Sequence, residues 1–407
     1  MRDTRAINRF LLAASLRIRS NPAVSPDLCL DPRALEDAVR VSLPALEPLV
    51  RRAGSGGSRA FRETAALVDL YPASELAVGP WRLFVVEERA TGDAGLLVDG
   101  APPIPLPGAV ALEAGFQLVP LLWLGLAPLK NLVQEDDPAS TVFPVARGTL
   151  SRSSLGIGAR FTTLHWPAVA WAMKELGLSL TANQNSIPRE LVYDVDAMLD
   201  GRLASVPFPF IGGSVPEGHQ GQSVEGMTHA SIVTFLKCGF HRHRIPWGFN
   251  ADHQPVGGRF DGIEEELAEG CAFASYITFD LSPELAEAPP LQTPVDVDRA
   301  FEAVGETFLF DRVLARLAPL GLAVDPGEAR RLFVTLLPAM RKMRARDAAY
   351  ARVRRVLFTT EVGRRYFREL SIDELPGRTT PATLAFCLAL AEALGMEVHY
   401  VAPALGF

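Results

Sequence analysis

The chain has 407 residues, 48% of them hydrophobic and 21% charged, which is ordinary for a globular protein with a large core and unlike a disordered chain. Its formal net charge of −7 comes without the basic stripe of nucleic-acid surfaces, so nucleic acid is not expected as a partner. Four cysteines (Cys29, Cys238, Cys271, Cys387) lie far apart with no CxxC spacing and read as buried, reduced thiols of a cytoplasmic protein rather than a disulfide framework.

The N-terminus carries only a short apolar piece from Phe10 to Leu16 and no clear cleavage site, so no signal peptide is assigned. Residues 1–52 read as helical, with apolar and charged residues mixed at helical spacing over 33–52. Gly54-Ser55-Gly56-Gly57-Ser58 reads as a flexible turn or loop. Segments 81–86 and 96–100 read as strands. The most apolar stretch, 110–129, contains Glu113, Gln117, Pro120 and Pro128; two prolines and a carboxylate argue for buried core and against a membrane span. Together these segments form an N-terminal mixed α/β region, 1–145.

From residue 146 the pattern becomes strand, polar loop, helix, repeated. Strands are predicted at 149–156, 178–182, 207–211, 246–251, 274–279, 367–372 and 397–401. Helices are predicted at 167–176, opened by Pro167, and at 189–199, 224–237, 262–270 and 381–394. A long helical stretch over 296–355 is expected to break near Pro326 and Pro338. Such alternation predicts the α/β class with a parallel sheet. A closed TIM barrel needs eight strands and eight helices, and this chain stops just past a strand with no helix to cover it. Residues 146–407 therefore read as a TIM-barrel-like catalytic domain, incomplete at its C-terminal end.

Chemistry is expected at the carboxyl ends of those strands. The densest polar cluster begins at Gly156-Ile157-Gly158-Ala159-Arg160 and runs to Thr163-Leu164-His165. Its glycines permit close backbone approach, and Arg160 either grips an anion with paired hydrogen bonds or is a surface residue of a tight turn. Gln184-Asn185-Ser186-Ile187-Pro188-Arg189-Glu190 follows the next strand; its amides and hydroxyl suit a polyhydroxylated ligand and also the cap of a helix. Phe249-Asn250-Ala251-Asp252-His253 ends a strand with a carboxylate beside an imidazole, a pairing open to metal ligation or base catalysis. Asp280 ends the following strand on the same rim. Ser371-Ile372-Asp373-Glu374 places two carboxylates at a later strand end, as acid, base, ligand or helix cap. His219 lies in a polar loop that could touch substrate, His229 reads as packing inside its helix, and His241 and His243 read as part of a solvated basic turn. No catalytic triad, phosphate loop or dinucleotide fingerprint is present.

In this order, Gly158-x-Arg160 with Thr163-x-His165, Ser186-Ile187 with Arg189-Glu190, Ala251-Asp252-His253, and Ser371-x-Asp373-Glu374 with Thr379-Thr380-Pro381 resemble the tagaturonate epimerase family over about residues 155–407. The resemblance implies a divalent-metal sugar epimerase on a barrel-like fold, acting on a small-molecule keto-hexuronate of the tagaturonate/fructuronate type. It implies Asp252 as the proton-accepting carboxylate, His253 as a metal ligand and Glu374 as the proton donor on the opposite side. It further implies Arg160, His165, Gln184 and Arg189 as substrate contacts. Asn250 departs from the more acidic context expected, and the family's further metal-binding histidines belong to a C-terminal stretch absent here; His253 alone cannot complete a coordination sphere. The metal (zinc, manganese, iron or nickel) and a homo-oligomeric state are left open. The alternatives are a related barrel ketose epimerase, isomerase or class II-type aldolase, and a non-catalytic sugar-binding remnant.

Overall fold

The computed structural model describes residues 29, 31–54, 60–123, 125–146, 154–158, 162–183, 224–262, 264–288, 290–322, 324–373, 375 and 377–406. They fall into two compact units: Met1–Asn250 with Phe273–Ser275 and Arg355–Arg365, and Ala251–Ala272 with Tyr276–Arg354 and Tyr366–Phe407.

The first unit opens with a long helix, α1 (Pro32–Gly54), whose Leu35, Val39, Leu46 and Val50 recur at helical spacing and are wholly buried. This stripe packs on an antiparallel sheet of β1 (Glu63–Ala65), β2 (Val68–Val78), β3 (Trp81–Glu88), β4 (Ala94–Asp99), β5 (Val110–Ala111) and β6 (Phe116–Pro120), in the order β1-β2-β3-β4-β6-β5. Val68, Leu70, Phe84, Val86, Leu97 and Leu118 complete that core, and each full burial of a Leu, Val or Phe contributes roughly 1.5–3 kcal/mol. The helix lies so close that a Cβ on Gly95 would meet Leu35 Cδ2 at 2.9 Å. The expected strands at 81–86 and 96–100 are β3 and β4; β2 was not foreseen. Pro72 disguises it, and the β2–β3 register shifts between Tyr71 and Leu76. Within that irregularity the Ser74 hydroxyl donates to the Tyr71 carbonyl at 2.6 Å and accepts the Val85 N–H at 2.7 Å, replacing backbone ladder bonds. Of the apolar stretch 110–129, expected to be buried core, the part from Phe116 onward is: Phe116, Leu118, Val119, Leu126 and Leu129 are all at most 3% exposed, while Ala111 and Glu113 to Gly115 are exposed. No helix among the described residues is long and apolar enough to cross a membrane.

The same unit continues through α2 (Leu126–Asp136) to parallel strands β7 (Ser154–Gly158) and β8 (Ser179–Asn183), joined by α3 (Thr162–Leu176). Pro167 lies inside α3 rather than at its start. After α4 (Val224–Lys237), β9 (Trp247–Pro255) runs parallel to β8 with Leu180 opposite Trp247. Trp166, Phe235 and Trp247 interlock edge-on with centroids 4.7–5.8 Å apart, fixing α3 and α4 against the strand. The expected helix at 189–199 and strand at 207–211 lie outside the described residues.

β9 begins in the first unit and ends in the second, where the strand order is β9, β10 (Tyr276–Asp280), β11 (Phe367–Ile372), β12 (Tyr400–Pro403), with β10–β11 and β11–β12 parallel. The connections are helical: α5 (Glu264–Gly270), α6 (Ser282–Ala286), α7 (Pro294–Val304), α8 (Thr307–Leu317), α9 (Pro326–Leu357) and α10 (Pro381–Ala393). α7 starts at a reciprocal Thr293–Asp296 capping box and ends on Gly305 with φ 66°. Pro326 opens α9, but Pro338 does not break it; buried Leu332, Phe333, Leu336, Leu337, Met340, Met343 and Tyr350 hold the helix through the lost hydrogen bond. The observed class is α/β, with one antiparallel sheet and a parallel one. Closure of the parallel strands into a barrel is not among the described pairings.

Candidate active site

β10 and β11 depart from the continuous apolar run usual for parallel strands. Ile277 and Phe279 are fully buried, and Phe279 packs edge-on against Tyr350 of α9 at 5.8 Å. The alternate residues Tyr276, Thr278 and Asp280 are polar, and in register Thr278 stands opposite Glu369 and Asp280 opposite Ser371, while Phe367 stands opposite Tyr276. Asp373 follows directly after β11. Polar groups of β9, β10 and β11 thus gather toward the carboxyl ends of neighbouring strands, the place where α/β proteins bind ligands.

β9 contributes by breaking its own alternation. His253 has φ 48°, a left-handed conformation uncommon outside glycine. Asp252 Oδ1 accepts the His253 N–H at 3.1 Å, a local bond that holds the kink. Beyond it, Gln254 is fully buried, and its Oε1 accepts from the Tyr350 hydroxyl at 3.0 Å and the Cys271 thiol at 3.2 Å. The kink brings two successive side chains into one cluster. The imidazole Nε2 lies 3.8 Å from Asp252 Oδ2, and Nδ1 lies 3.5 Å from Asp280 Oδ2. Side-chain exposures of 31% for His253, 15% for Asp252 and 17% for Asp280 make the cluster half-enclosed.

Each carboxyl has a distinct setting. Asp280 Oδ1 accepts the Ser282 N–H at 2.9 Å and its hydroxyl at 2.5 Å. Glu369 accepts the Tyr276 hydroxyl, and Tyr276 stacks on Tyr400 with centroids 4.6 Å apart. Asp373 Oδ1 accepts the Ser371 hydroxyl at 2.6 Å. The hydrogen bond to Asp280 raises His253 to about 9 against the opposing effect of burial, and Asp252, Asp280 and Asp373 add to the rise. Burial pushes Asp252 up, and Asp280 adds to this, while His253 and a hydrogen bond from Thr278 oppose it. Burial would also raise Asp280, but hydrogen bonds from His253 and Ser282 outweigh it and leave it lowered. Burial lifts Glu369 to about 7, with Asp252 and Asp373 adding and His253 opposing. An imidazolium, an anchored carboxylate and two carboxyls displaced toward neutral pH stand together, which is the electrostatic arrangement of paired proton donor and acceptor.

Of the residues expected from sequence, the structure brings Asp252 and His253 together with Asp280. His165 lies in α3 of the first unit. Arg160, Gln184, Arg189 and Glu374 lie outside the described residues, as does His219. Among the described residues no group of three or more His, Cys, Asp or Glu is placed to hold a metal ion. Both His253 nitrogens face carboxylates, those of Asp252 and Asp280. Tyr276, Thr278 and Glu369 were not anticipated. The expected solvated turn holds for His243, which is exposed, but not for His241. The His241 Nε2 lies 2.9 Å from the Glu75 carbonyl oxygen, and burial lowers the ring to about 4. His229 is packing, as expected, at 1% exposure.

No family model matches this chain, and no curated protein matches it. Among solved structures it is similar to a one-glycerol complex of fructuronate-tagaturonate epimerase UxaE from Cohnella laeviribosi, at 16% identity and a TM-score of 0.49, over 88% of this chain and 62% of that one. The native structure of the same enzyme is similar at 15% identity and a TM-score of 0.47, over 88% and 61%. A two-glycerol complex is similar at 15% identity and 0.46, over 88% and 62%. The chain spans about three fifths of the length of these structures.

Proposed function

We propose that this chain is a cytoplasmic sugar-acid epimerase that interconverts keto-hexuronates of the tagaturonate/fructuronate type on a TIM-barrel-like fold. The observation that supports the reading is the half-enclosed cluster in which the His253 imidazole lies 3.8 Å from Asp252 and 3.5 Å from Asp280, with burial raising the carboxyls of Asp252 and nearby Glu369. The motif order from Gly158 to Pro381 supplies the substrate class.

The carbon to be inverted is not adjacent to the substrate's carbonyl, so a retro-aldol route serves where simple enolisation does not. Asp252 takes the proton from the hydroxyl on that carbon. The oxygen's electron pair forms a carbonyl while the bond to the neighbouring carbon breaks, and that bond's pair moves to the substrate's ketone. The ketone oxygen takes a proton from neutral Glu369, giving an enediol. The aldehyde turns over, the enediol returns its proton to Glu369 as the carbon–carbon bond re-forms on the opposite face, and Asp252 gives its proton to the new alkoxide. The imidazolium of His253 keeps both charge states of this pair within reach. The motif resemblance further implies Glu374 as a proton donor and Arg160, His165, Gln184 and Arg189 as substrate contacts. A divalent metal, when bound, supplies Lewis-acid polarisation of the ketone; its ligands must include residues beyond those described, and no step above is routed through it.

The test is product chromatography of tagaturonate incubated with this chain and divalent metal. Fructuronate is the expected product, with turnover falling roughly 10²–10⁴-fold in Asp252→Asn and Glu369→Gln. Release of two smaller carbonyl compounds makes the protein an aldolase, and unchanged tagaturonate overturns the reading.

A further inference from the structure

The second unit also contains a cavity of about 580 Å³, a volume suited to one small metabolite. It adjoins the acidic cluster: Ser282, which holds Asp280, is in its wall, and so is Leu375, two positions beyond Asp373. Two guanidinium groups line it, Arg331 from α9 and Arg378 from the segment before α10, against one carboxylate, Glu328. Glu328 Oε2 stands 3.7 Å from Arg331 Nε, longer than a hydrogen-bonded pair, while Arg331 Nη1 donates to the Leu291 carbonyl and is thereby steadied. Among the described lining residues the charge balance is one positive in excess. Hydroxyls of Thr335, Thr379 and Thr383 share that wall, and Leu285 and Leu332 supply an apolar patch.

We propose that Arg331 and Arg378 bind the carboxylate of a hexuronate in this cavity and so select sugar acids over neutral sugars. The proposal rests on the epimerase reading for its substrate class, but the charge logic is independent of the reaction. Guanidinium forks match a planar carboxylate, and the hydroxyls match the ligand's own. Glu328, with Asp280 and Asp373 close by, disfavours a dianionic phosphate more than a monoanion.

The test is calorimetric binding to the whole chain of galacturonate, galactose and galactose 6-phosphate, with no turnover involved. Galacturonate is expected to bind and galactose not to, with affinity for galacturonate falling roughly ten- to hundredfold in Arg378→Met and Arg331→Met. Arg331→Met also releases the Leu291 carbonyl and could perturb folding. Arg378 is exposed, so Arg378→Met with an unchanged circular dichroism spectrum decides the matter alone. Equal binding of galactose, tighter binding of the phosphate, or wild-type affinity in Arg378→Met overturns the proposal. Selective galacturonate binding without tagaturonate turnover leaves it standing while the epimerase reading falls.

Discussion

The most demanding prediction concerns a buried ion pair that ties α4 to the antiparallel sheet. Lys237 Nζ lies 2.6 Å from Glu87 Oε2, with side chains 7% and 0% exposed. The Tyr71 hydroxyl donates to the same oxygen at 3.0 Å, and the ammonium sits 4.5 Å from the Tyr71 ring centroid. Lys237→Met keeps the side-chain volume and removes the charge, leaving Glu87 in a dry site. Breaking such a pair from one side costs about 3–5 kcal/mol, whereas replacing both partners with apolar residues is near neutral or stabilising. At roughly 2–4 °C per kcal/mol, Lys237→Met should lower Tm by about 6–20 °C at pH 7.5. The triple variant Lys237→Met/Glu87→Leu/Tyr71→Phe should recover most of that loss. The single variant should also gain a pH dependence. A buried carboxyl deprived of its cation takes up a proton more readily, so its folded pKa rises above the unfolded value near 4.3. Its stability contribution is then present below that unfolded value and lost as pH rises, so the deficit against wild type should shrink from pH 7.5 to pH 5. Urea titrations of the three proteins at both pH values read all of this. A single variant within about 1 kcal/mol of wild type at pH 7.5, or a triple variant no better than the single, refutes the reasoning.

Other substitutions separate the remaining physical claims. His241 is lowered to about 4, so the unfolded chain binds the proton first; the stability it confers is complete above about 6.5 and lost as pH falls toward 4. His241→Gln, which can still donate to the Glu75 carbonyl, should flatten that acid limb in urea titrations from pH 7 to pH 4. Gly257 has φ 84° and ψ −169°, a region essentially confined to glycine, and an added Cβ would overlap the Glu284 side chain. Gly257→Ala should cost about 1–3 kcal/mol by thermal melting, and wild-type stability would remove the strain argument. The same change should displace Glu284 from Lys342, 2.6 Å away, and depress the lysine that Asp261 and Glu284 now raise; lysine NMR titration reads that shift.

Much of the fold was legible because its signals are local. Pro326 and Pro381 each act within one turn, so the starts of α9 and α10 follow from near neighbours in the chain, whereas the predicted stretch over 296–355 ran through the stop at Gly305 that ends α7. Pro338 misled for a complementary reason. A proline's local penalty of about 3 kcal/mol is set against a 32-residue helix whose buried face belongs to tertiary packing. β2 was hidden in the same way, since Ser74 replaces the ladder bonds that the bulge after Tyr71 disrupts. His241 looked solvated because Arg242, His243 and Arg244 surround it in sequence, yet the Glu75 carbonyl that holds it is 166 positions away.

At the candidate site, one signal was present in the sequence and another was not. Tyr276-Thr278-Asp280 and Glu369-Ser371-Asp373 keep period two in strands where a buried parallel sheet would be apolar throughout, so the polar face could have been read from alternation alone. That Tyr276 and Glu369 meet across 93 positions follows only from the parallel register of β10 and β11. The pairing of Asp252 with His253 is subtler. In a regular strand adjacent side chains point to opposite faces, and an Asp-His dipeptide would send one group to the site and the other away. The left-handed turn at His253 cancels that alternation, and buried Gln254, gripped by Tyr350 and Cys271, provides contacts that hold the turn against a local cost of about 1–3 kcal/mol. The Asp252-His253 dipeptide therefore depends on a helix residue roughly a hundred positions downstream, and no reading of it in isolation could have shown which way either side chain would face.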